Sequence, residues 1–449
     1  MKQPFGQNYP GPSRLQLLMA AHRIRHDIPV YLQSLAEEHG DTVFLPLNFP
    51  TWLVRNPADV KHVLVSHAAH YHKTGALRAD QDFLGEGLVS SAPPLHTRQR
   101  KLMQPMFHRR SINEFVHCIK KTTLEQIASW KDGDEIELTA EMMELTLKIV
   151  GRTLFSVDLT GEAAELGDSF VTAQRLVIRR MQKAPLPRWV PTLANFRYRK
   201  AIRRIDEAIC DLIEARRRSE EELPDLLGML LKTRNEDGSS MGDRLIRDEA
   251  ITLLLAGHET VSNNLSWTFH LLSENPDVDK ALLEEWIEVL GERTPEMDDF
   301  CRLPVTDRVL AESLRLFPPA WILARKALEE DILPSGLRIR QGDEVILPPY
   351  VIHRNPAFFD DPERFDPARW TQEMKKSLPT GTYLPFGVGP RYCIGEQFAR
   401  TEAAIVLSTI GQRFRLNVLP DQRIGREAMI TMRPRYGLRV KLEAREVTG

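Results

Sequence analysis

The chain is poor in the features that mark specialised protein classes. Its 449 residues include only four cysteines, Cys118, Cys210, Cys301 and Cys393. They lie far apart, with no CxxC pair and no Cys/His cluster at metal-ligand spacing, which excludes a zinc module and argues against a disulfide framework. No run of about 20 apolar residues occurs, so no membrane anchor is expected. The segment from Met1 to Pro12 is polar and rich in Pro and Gly, unlike a secretory signal. Neither sign of charge dominates: 60 Lys and Arg stand against 62 Asp and Glu, leaving a net charge of -2, which speaks against nucleic acid as a partner. Repeats, low-complexity tracts and linkers are missing too. These absences leave an ordinary globular chain, expected in the cytoplasm and as one domain over residues 1–449.

What the chain does have is helical periodicity. Apolar residues recur at helical spacing from Leu15 to Glu38, and Thr42-Val43-Phe44-Leu45 with Thr51-Trp52-Leu53-Val54 reads as a strand pair. Helical patterns then dominate as far as Pro318, broken at turns such as Ala92-Pro93-Pro94 and Ala184-Pro185-Leu186-Pro187. The stretch from Leu245 to Glu274 contains no Pro and predicts a helix long enough to cross a whole domain. Beyond Trp321 short strands are expected at 336–339 and 344–347, followed by a last helix from about Gly395 to Phe414. The fold class expected is mainly α with small β-sheets.

Three local patterns carry chemistry. The first is Phe386-Gly387-Val388-Gly389-Pro390-Arg391-Tyr392-Cys393-Ile394-Gly395, a glycine-rich loop that places one cysteine just ahead of a helix. A thiolate suits that place, because the free N-H groups at a helix N-terminus stabilise negative charge. A buried inert cysteine is the bland reading, but Gly387, Gly389 and Gly395 let backbone approach a flat group, and Arg391 stands ready for an anion. The second is Ala256-Gly257-His258-Glu259-Thr260, midway along the long helix. A glycine inside a helix costs about 1 kcal/mol relative to Ala, and Thr260 can turn its hydroxyl back to the Ala256 carbonyl. The third is Glu312-Ser313-Leu314-Arg315, where residues three apart share a helix face and can pair.

The cysteine loop resembles the haem-binding signature of the cytochrome P450 family, with the family's Phe, Gly, Arg, Cys and Gly at Phe386, Gly389, Arg391, Cys393 and Gly395. The resemblance implies a helical bundle around a buried haem b, with Cys393 as the thiolate ligand of its iron, a ligand that favours O-O cleavage. It implies that Gly257 flanks the distal, oxygen-binding side and that Glu259 and Thr260 are the acid-alcohol pair that delivers protons to dioxygen. By the same resemblance Glu259 is expected in a groove that water can reach, and His258 is given no role. Glu312 and Arg315 would join Arg364, from Pro362-Glu363-Arg364-Phe365, in a buried network fixing the loop that leads to Cys393. His96, Arg100, Arg325 and Arg391 match partners for the two propionates.

The resemblance also sketches a pocket drawn from 83–89, 170–190, 253–255, 320–323 and 429–431, mostly apolar and suited to a fatty acid, terpenoid or polyketide. Nothing resembles a flavin or nicotinamide site, so electrons are expected from a separate ferredoxin or flavodoxin with its reductase. Arg98, Lys101, Arg109 and Arg110 are candidate docking cations. The basic run Arg197 to Arg204 is read as a solvated helix face, since acidic residues are interspersed. The function implied is a monooxygenase that uses O2. The alternative is a haem-thiolate protein without oxygenase activity, either an isomerase-type enzyme or a ligand sensor, for which a proton-delivering pair would have no purpose.

Overall fold

A computed structural model describes residues 9–74, 81–159, 163–182, 190–219, 223, 225–233 and 241–445, and these group into two compact units. The first unit comprises residues 1–75, 311–393 and 426–433. Its sheet runs, in order, Thr42–Pro46, Pro50–Val54, Glu344–Leu347, Leu323–Ala327 and Tyr71–Lys73, with the second and third strands parallel and the other pairs antiparallel. Both faces are covered. Trp52, Val54, Val345 and Leu347 pack to one side, while Val43, Leu45, Leu53 and Ile346 pack with Tyr31, Leu32 and Leu35 of the Ile28–His39 helix on the other. Alternate residues of a strand point to opposite faces, so both sets are apolar.

The expected helix from Leu15 to Glu38 is three helices: Arg14–Met19, Ala21–His26 and Ile28–His39. The break has a local cause. Asp27 caps the third helix by accepting from the Val30 amide, and Pro29 sits in its first turn, where a missing N-H costs nothing.

The second unit holds residues 76–310, 394–425 and 434–449 and is built around the Asp243–Glu274 helix. At 32 residues it is buried on all sides from Ile246 to Leu272 except at a few positions, because other helices surround it, the Leu138–Leu154 helix most extensively. The Leu193–Arg218 helix buries Tyr198, Ala201, Ile202, Ile205, Ile209 and Ile213 and turns its charges outward, as read from the basic run. The last helix is Glu396–Gly411 and stops short of Phe414. Phe414–Val418 is instead a strand, in a sheet with Arg439–Ala444 and Glu135–Glu137. The fold is mainly α with small sheets, as expected. The turn at 184–187 lies outside the described residues.

Candidate active site

The cysteine loop is a tight turn held by its own backbone. Gly387 N-H donates to Leu384 O at 3.1 Å, Tyr392 N-H to Gly389 O at 2.9 Å, and Cys393 N-H to Phe386 O at 2.9 Å. Gly387 and Gly389 have φ of 70° and 72°, in the left-handed region. At Gly389 space also decides, since a Cβ would lie 2.1 Å from Leu64 O. Within this frame Cys393 is exposed rather than packed away. Gly395 is the N-cap residue of the Glu396–Gly411 helix, and a Cβ there would meet Phe107 at an ordinary 3.6 Å. The protein's own packing therefore does not demand a glycine at that position.

Glu312 explains how the loop is fixed. Wholly buried, it accepts from Arg315 Nε and Nη2 at 2.8 Å each, Arg369 Nε at 2.9 Å, Trp370 Nε1 at 2.9 Å and the Asp366 amide at 3.0 Å. Arg315, also fully buried, spends its remaining N-H groups on the carbonyls of His353, Pro362 and Arg364. The second arginine of the network is thus Arg369. Arg364, expected in that role, is exposed and offers only its carbonyl. The physical reason is direction: the turn after Phe365 brings Arg369 and Trp370 back over Glu312, whereas Arg364 points to water.

His353 carries the network onward. Its Nδ1-H faces Arg315 O at 3.2 Å and its Nε2 accepts from the Leu384 amide at 2.9 Å, which fixes the neutral tautomer. Burial, with Arg315 next, pushes its pKa down to about 3. Leu384 O in turn accepts from Gly387, so the chain of bonds runs from Glu312 to the turn that presents Cys393.

Three cations gather nearby in the same unit. Lys73 and Arg325 lie directly opposite each other in the antiparallel pair of Tyr71–Lys73 with Leu323–Ala327. Burial, then Arg325 and Arg391, pushes the Lys73 ammonium down to about 7, and burial with Arg391 pushes Arg325 down to about 10. Like charges opposite one another in a sheet are destabilising, so this cluster fits a site that receives a buried anion such as a haem's propionates. Arg325 and Arg391 were read from sequence. Lys73 was missed, because only the strand register puts it beside Arg325.

The second unit contributes the long helix. Between Ile246 and Leu272 only Arg247, Ala256, Gly257 and Thr260 are not buried. Ala256, Gly257 and Thr260 open a window midway along an otherwise enclosed helix, as a bound group beside it requires. Thr260 Oγ1 donates to Ala256 O at 2.7 Å, as the sequence implied. At Gly257 the missing side chain has a packing cause as well, since a Cβ would lie 2.9 Å from Val150 Cγ2 on the Leu138–Leu154 helix. His258 is turned toward Phe170, with ring centroids 5.3 Å apart, and its Nδ1-H reaches Leu254 O. Burial pushes its pKa down to about 4, so it stays neutral.

Glu259 departs from expectation. It is 1% exposed rather than open to water, and Gln174 Nε2 donates to its Oε2 at 2.7 Å. The cause is helix packing, since the Ala163–Gln182 helix closes over that side and brings the buried Gln174 with it. His96 and Arg100 share the Leu95–Met103 helix, His96 buried and Arg100 half-buried. Arg98, Lys101, Arg109 and Arg110 are exposed, with Arg109 paired to Asp298 at 3.2 Å.

Of the pocket stretches, the structure packs 320–323 on 429–431, with Trp321 Nε1 donating to Met429 O at 2.9 Å. It also brings 83–89 onto the long helix ahead of 253–255. Part of the 170–190 stretch lies outside the described residues. Among the described residues no cluster of His, Cys, Asp and Glu could hold a metal ion, and no helix is long and apolar enough to cross a membrane.

The cysteine on its glycine-rich turn and the cation cluster in the first unit, and the windowed helix in the second, are each features that fit the resemblance to cytochrome P450. Comparison with known proteins agrees: the family model for cytochrome P450 matches residues 9–440. Pentalenene oxygenase of Streptomyces avermitilis is 36% identical, with 93% of each chain covered. Cyclooctatin synthase of Streptomyces melanosporofaciens is 37% identical, over 88% of this chain and 87% of its own. Carotene epsilon-monooxygenase of Arabidopsis thaliana is 30% identical, over 92% of this chain and 84% of its own. The chain belongs to the cytochrome P450 family and is a haem monooxygenase that uses O2, a small-molecule substrate and redox partners.

Proposed function

We propose that the protein inserts one oxygen atom of O2 into a hydrophobic small molecule of terpenoid type, as a single haem domain working in the cytoplasm. The substrate class is supported by the relatives named for pentalenene and cyclooctatin and by the apolar stretches 83–89 and 253–255. Electrons would come from a ferredoxin or flavodoxin with its reductase, and Arg98, Lys101, Arg109 and Arg110 supply exposed cations for docking an acidic donor.

The observation that carries this reading is the window at Ala256, Gly257 and Thr260 in a helix buried on either side. The haem, of b type and held by Cys393, supplies dioxygen activation when bound. Phe386, Gly387 and Gly395 would let it lie flat against the loop, while His96, Arg100, Arg325, Arg391 and Lys73 would neutralise its propionates. Thr260 Oγ1 holds a proton at the window, parked on Ala256 O, and turning that hydroxyl outward hands the proton on. Glu259 is the adjacent acid. Burial of its neighbours keeps bulk water from competing.

The non-oxygenase alternative draws on one feature, the burial of Glu259 against Gln174. Turnover separates the readings. With a surrogate reductase, Thr260→Ala should keep its haem while product per NADPH consumed falls about tenfold, part of the ~10²–10⁴ that positioned proton transfer supplies. An unchanged ratio removes Thr260 from the mechanism, and NADPH use without oxygenated product from any terpenoid tested removes the terpenoid substrate class. Cys393→Ser should lose the red-shifted ferrous carbon-monoxide band entirely.

A further inference from the structure

The 83–91 segment is bound to the long helix by groups to which the mechanism gives no part. Asp248 Oδ2 accepts from the Glu86 amide at 2.9 Å, and Glu249 Oε2 accepts from the Leu88 amide at 2.9 Å. Arg247 Nη1 donates to Phe83 O at 3.2 Å while its Nε bonds Asp206 of the Leu193–Arg218 helix at 2.8 Å. From the other side Gln99 Nε2 donates to Glu86 O at 2.7 Å, and within the segment Ser90 Oγ donates to Gly85 O at 2.8 Å. The segment is glycine-rich for the same reason. A Cβ on Gly85 would fall 2.0 Å from Asp248 Oδ2, and one on Gly87 would fall 2.1 Å from Thr252 Oγ1.

The place of this seat along the helix gives it meaning. Glu249, Thr252, Ala256 and Thr260 are spaced i, i+3, i+7 and i+11, one stripe of one helix face. The seat therefore lies on the face that opens at the window, roughly 11 Å ahead of Ala256 at 1.5 Å per residue. Phe83 and Leu88, both buried, stand at that end. We infer that Asp248 and Glu249 are positioning residues for substrate: they seat the Phe83–Leu88 wall beside the window and so set the size of molecule that fits there. Two carboxylates in sequence would repel if both were charged. Burial, opposed by the Leu88 amide and reinforced by Asp248, pushes Glu249 up to about 8, which makes it a neutral acid at this seat and glutamine its isostere. The inference rests on the reading of the window as the distal side of the haem.

The test uses the ferric holoenzyme and two iron ligands of different bulk, imidazole and 4-phenylimidazole, titrated by the Soret shift, with amide hydrogen exchange at Leu88 read in parallel. Glu249→Gln should match the parent in both measurements. Glu249→Ala should speed exchange at Leu88 about tenfold and change the 4-phenylimidazole dissociation constant several-fold while leaving that of imidazole unmoved, since a lost hydrogen bond to a buried amide is worth about 1–2 kcal/mol. Gly87→Ala, whose Cβ must push the segment off Thr252, should move the same ratio without touching either carboxylate. Unchanged Leu88 exchange in Glu249→Ala overturns the seat. Faster exchange with an unmoved ligand ratio in both variants overturns its part in substrate size. If the parent itself gives no Soret shift with imidazole, the reading of the window fails instead, a different result.

Discussion

The Glu312 cluster and the long helix both bury carboxylates, and they solve the problem in opposite ways. Glu312 gathers five donors, three of them from the two arginines that its own and a neighbouring turn bring in, and its charge is satisfied inside the fold. Glu249 takes one backbone donor on its Oε2, has no partner on Oε1 and is pushed up to about 8. Glu402, on the last helix, goes further: neither oxygen has a partner, and burial raises its pKa well above the ordinary range. Equal burial thus produces an anion where donors converge and a neutral acid where they do not. The charged site locks the cysteine turn, whereas the sparse one leaves a segment that can be reseated.

The largest break of this contrast should come from Glu312→Ala. Removing one partner strands the buried Arg315, at about 3–5 kcal/mol of a domain's ~5–15 kcal/mol, so melting temperature and haem content should both collapse. Arg369→Ala should cost less, about 1.5–3 kcal/mol for a charged hydrogen bond, because Arg315 and Trp370 still hold the carboxylate. If Arg369→Ala melts like the parent, Arg369 is not the second arginine.

The neutral side is sharpened by pH. For Glu249 the folded value of about 8 lies above the ordinary 4.5, so its contribution is complete below about 4.5 and is lost as pH rises through about 8. Glu402 acts in the same direction. His258 and His353, lowered to about 4 and about 3, act oppositely: their contribution is present above 6.5 and lost as pH falls. Between pH 6.5 and 8 the two acids should lower stability by up to ~1.4 kcal/mol per pH unit each, while Lys73, lowered to about 7, opposes them above that value. Denaturant melts across that range should show Glu249→Gln with the shallower slope, and equal slopes would mean that Glu249 is charged in the fold.

The smallest expected effect is that of Arg364→Ala. Its side chain is exposed and its carbonyl survives the change, so stability should stay within about 0.5 kcal/mol of the parent. A loss as large as that of Arg369→Ala would return it to the network.

Much of the site was legible because its rules are local. The Glu312 to Arg315 pair follows from three-residue helical spacing, the Thr260 bond to Ala256 from four-residue spacing, and the long helix from an unbroken run without Pro. The Cys393 turn advertises itself through glycines that its positive φ angles require. The choice of Arg369 over Arg364, the opposition of Lys73 to Arg325, and the covering of Glu259 by Gln174 were not legible. Nor were the seat of Leu88 on Glu249 or the strands after the last helix, of which Arg439–Ala444 pairs with Glu135–Glu137 about 300 residues earlier. Sequence alone determined which groups could do the chemistry, because backbone geometry repeats over three or four residues. Only the tertiary structure decided which of them are charged, covered or opposed, since register and packing across hundreds of residues are chosen by the burial of whole faces, which no local spacing encodes.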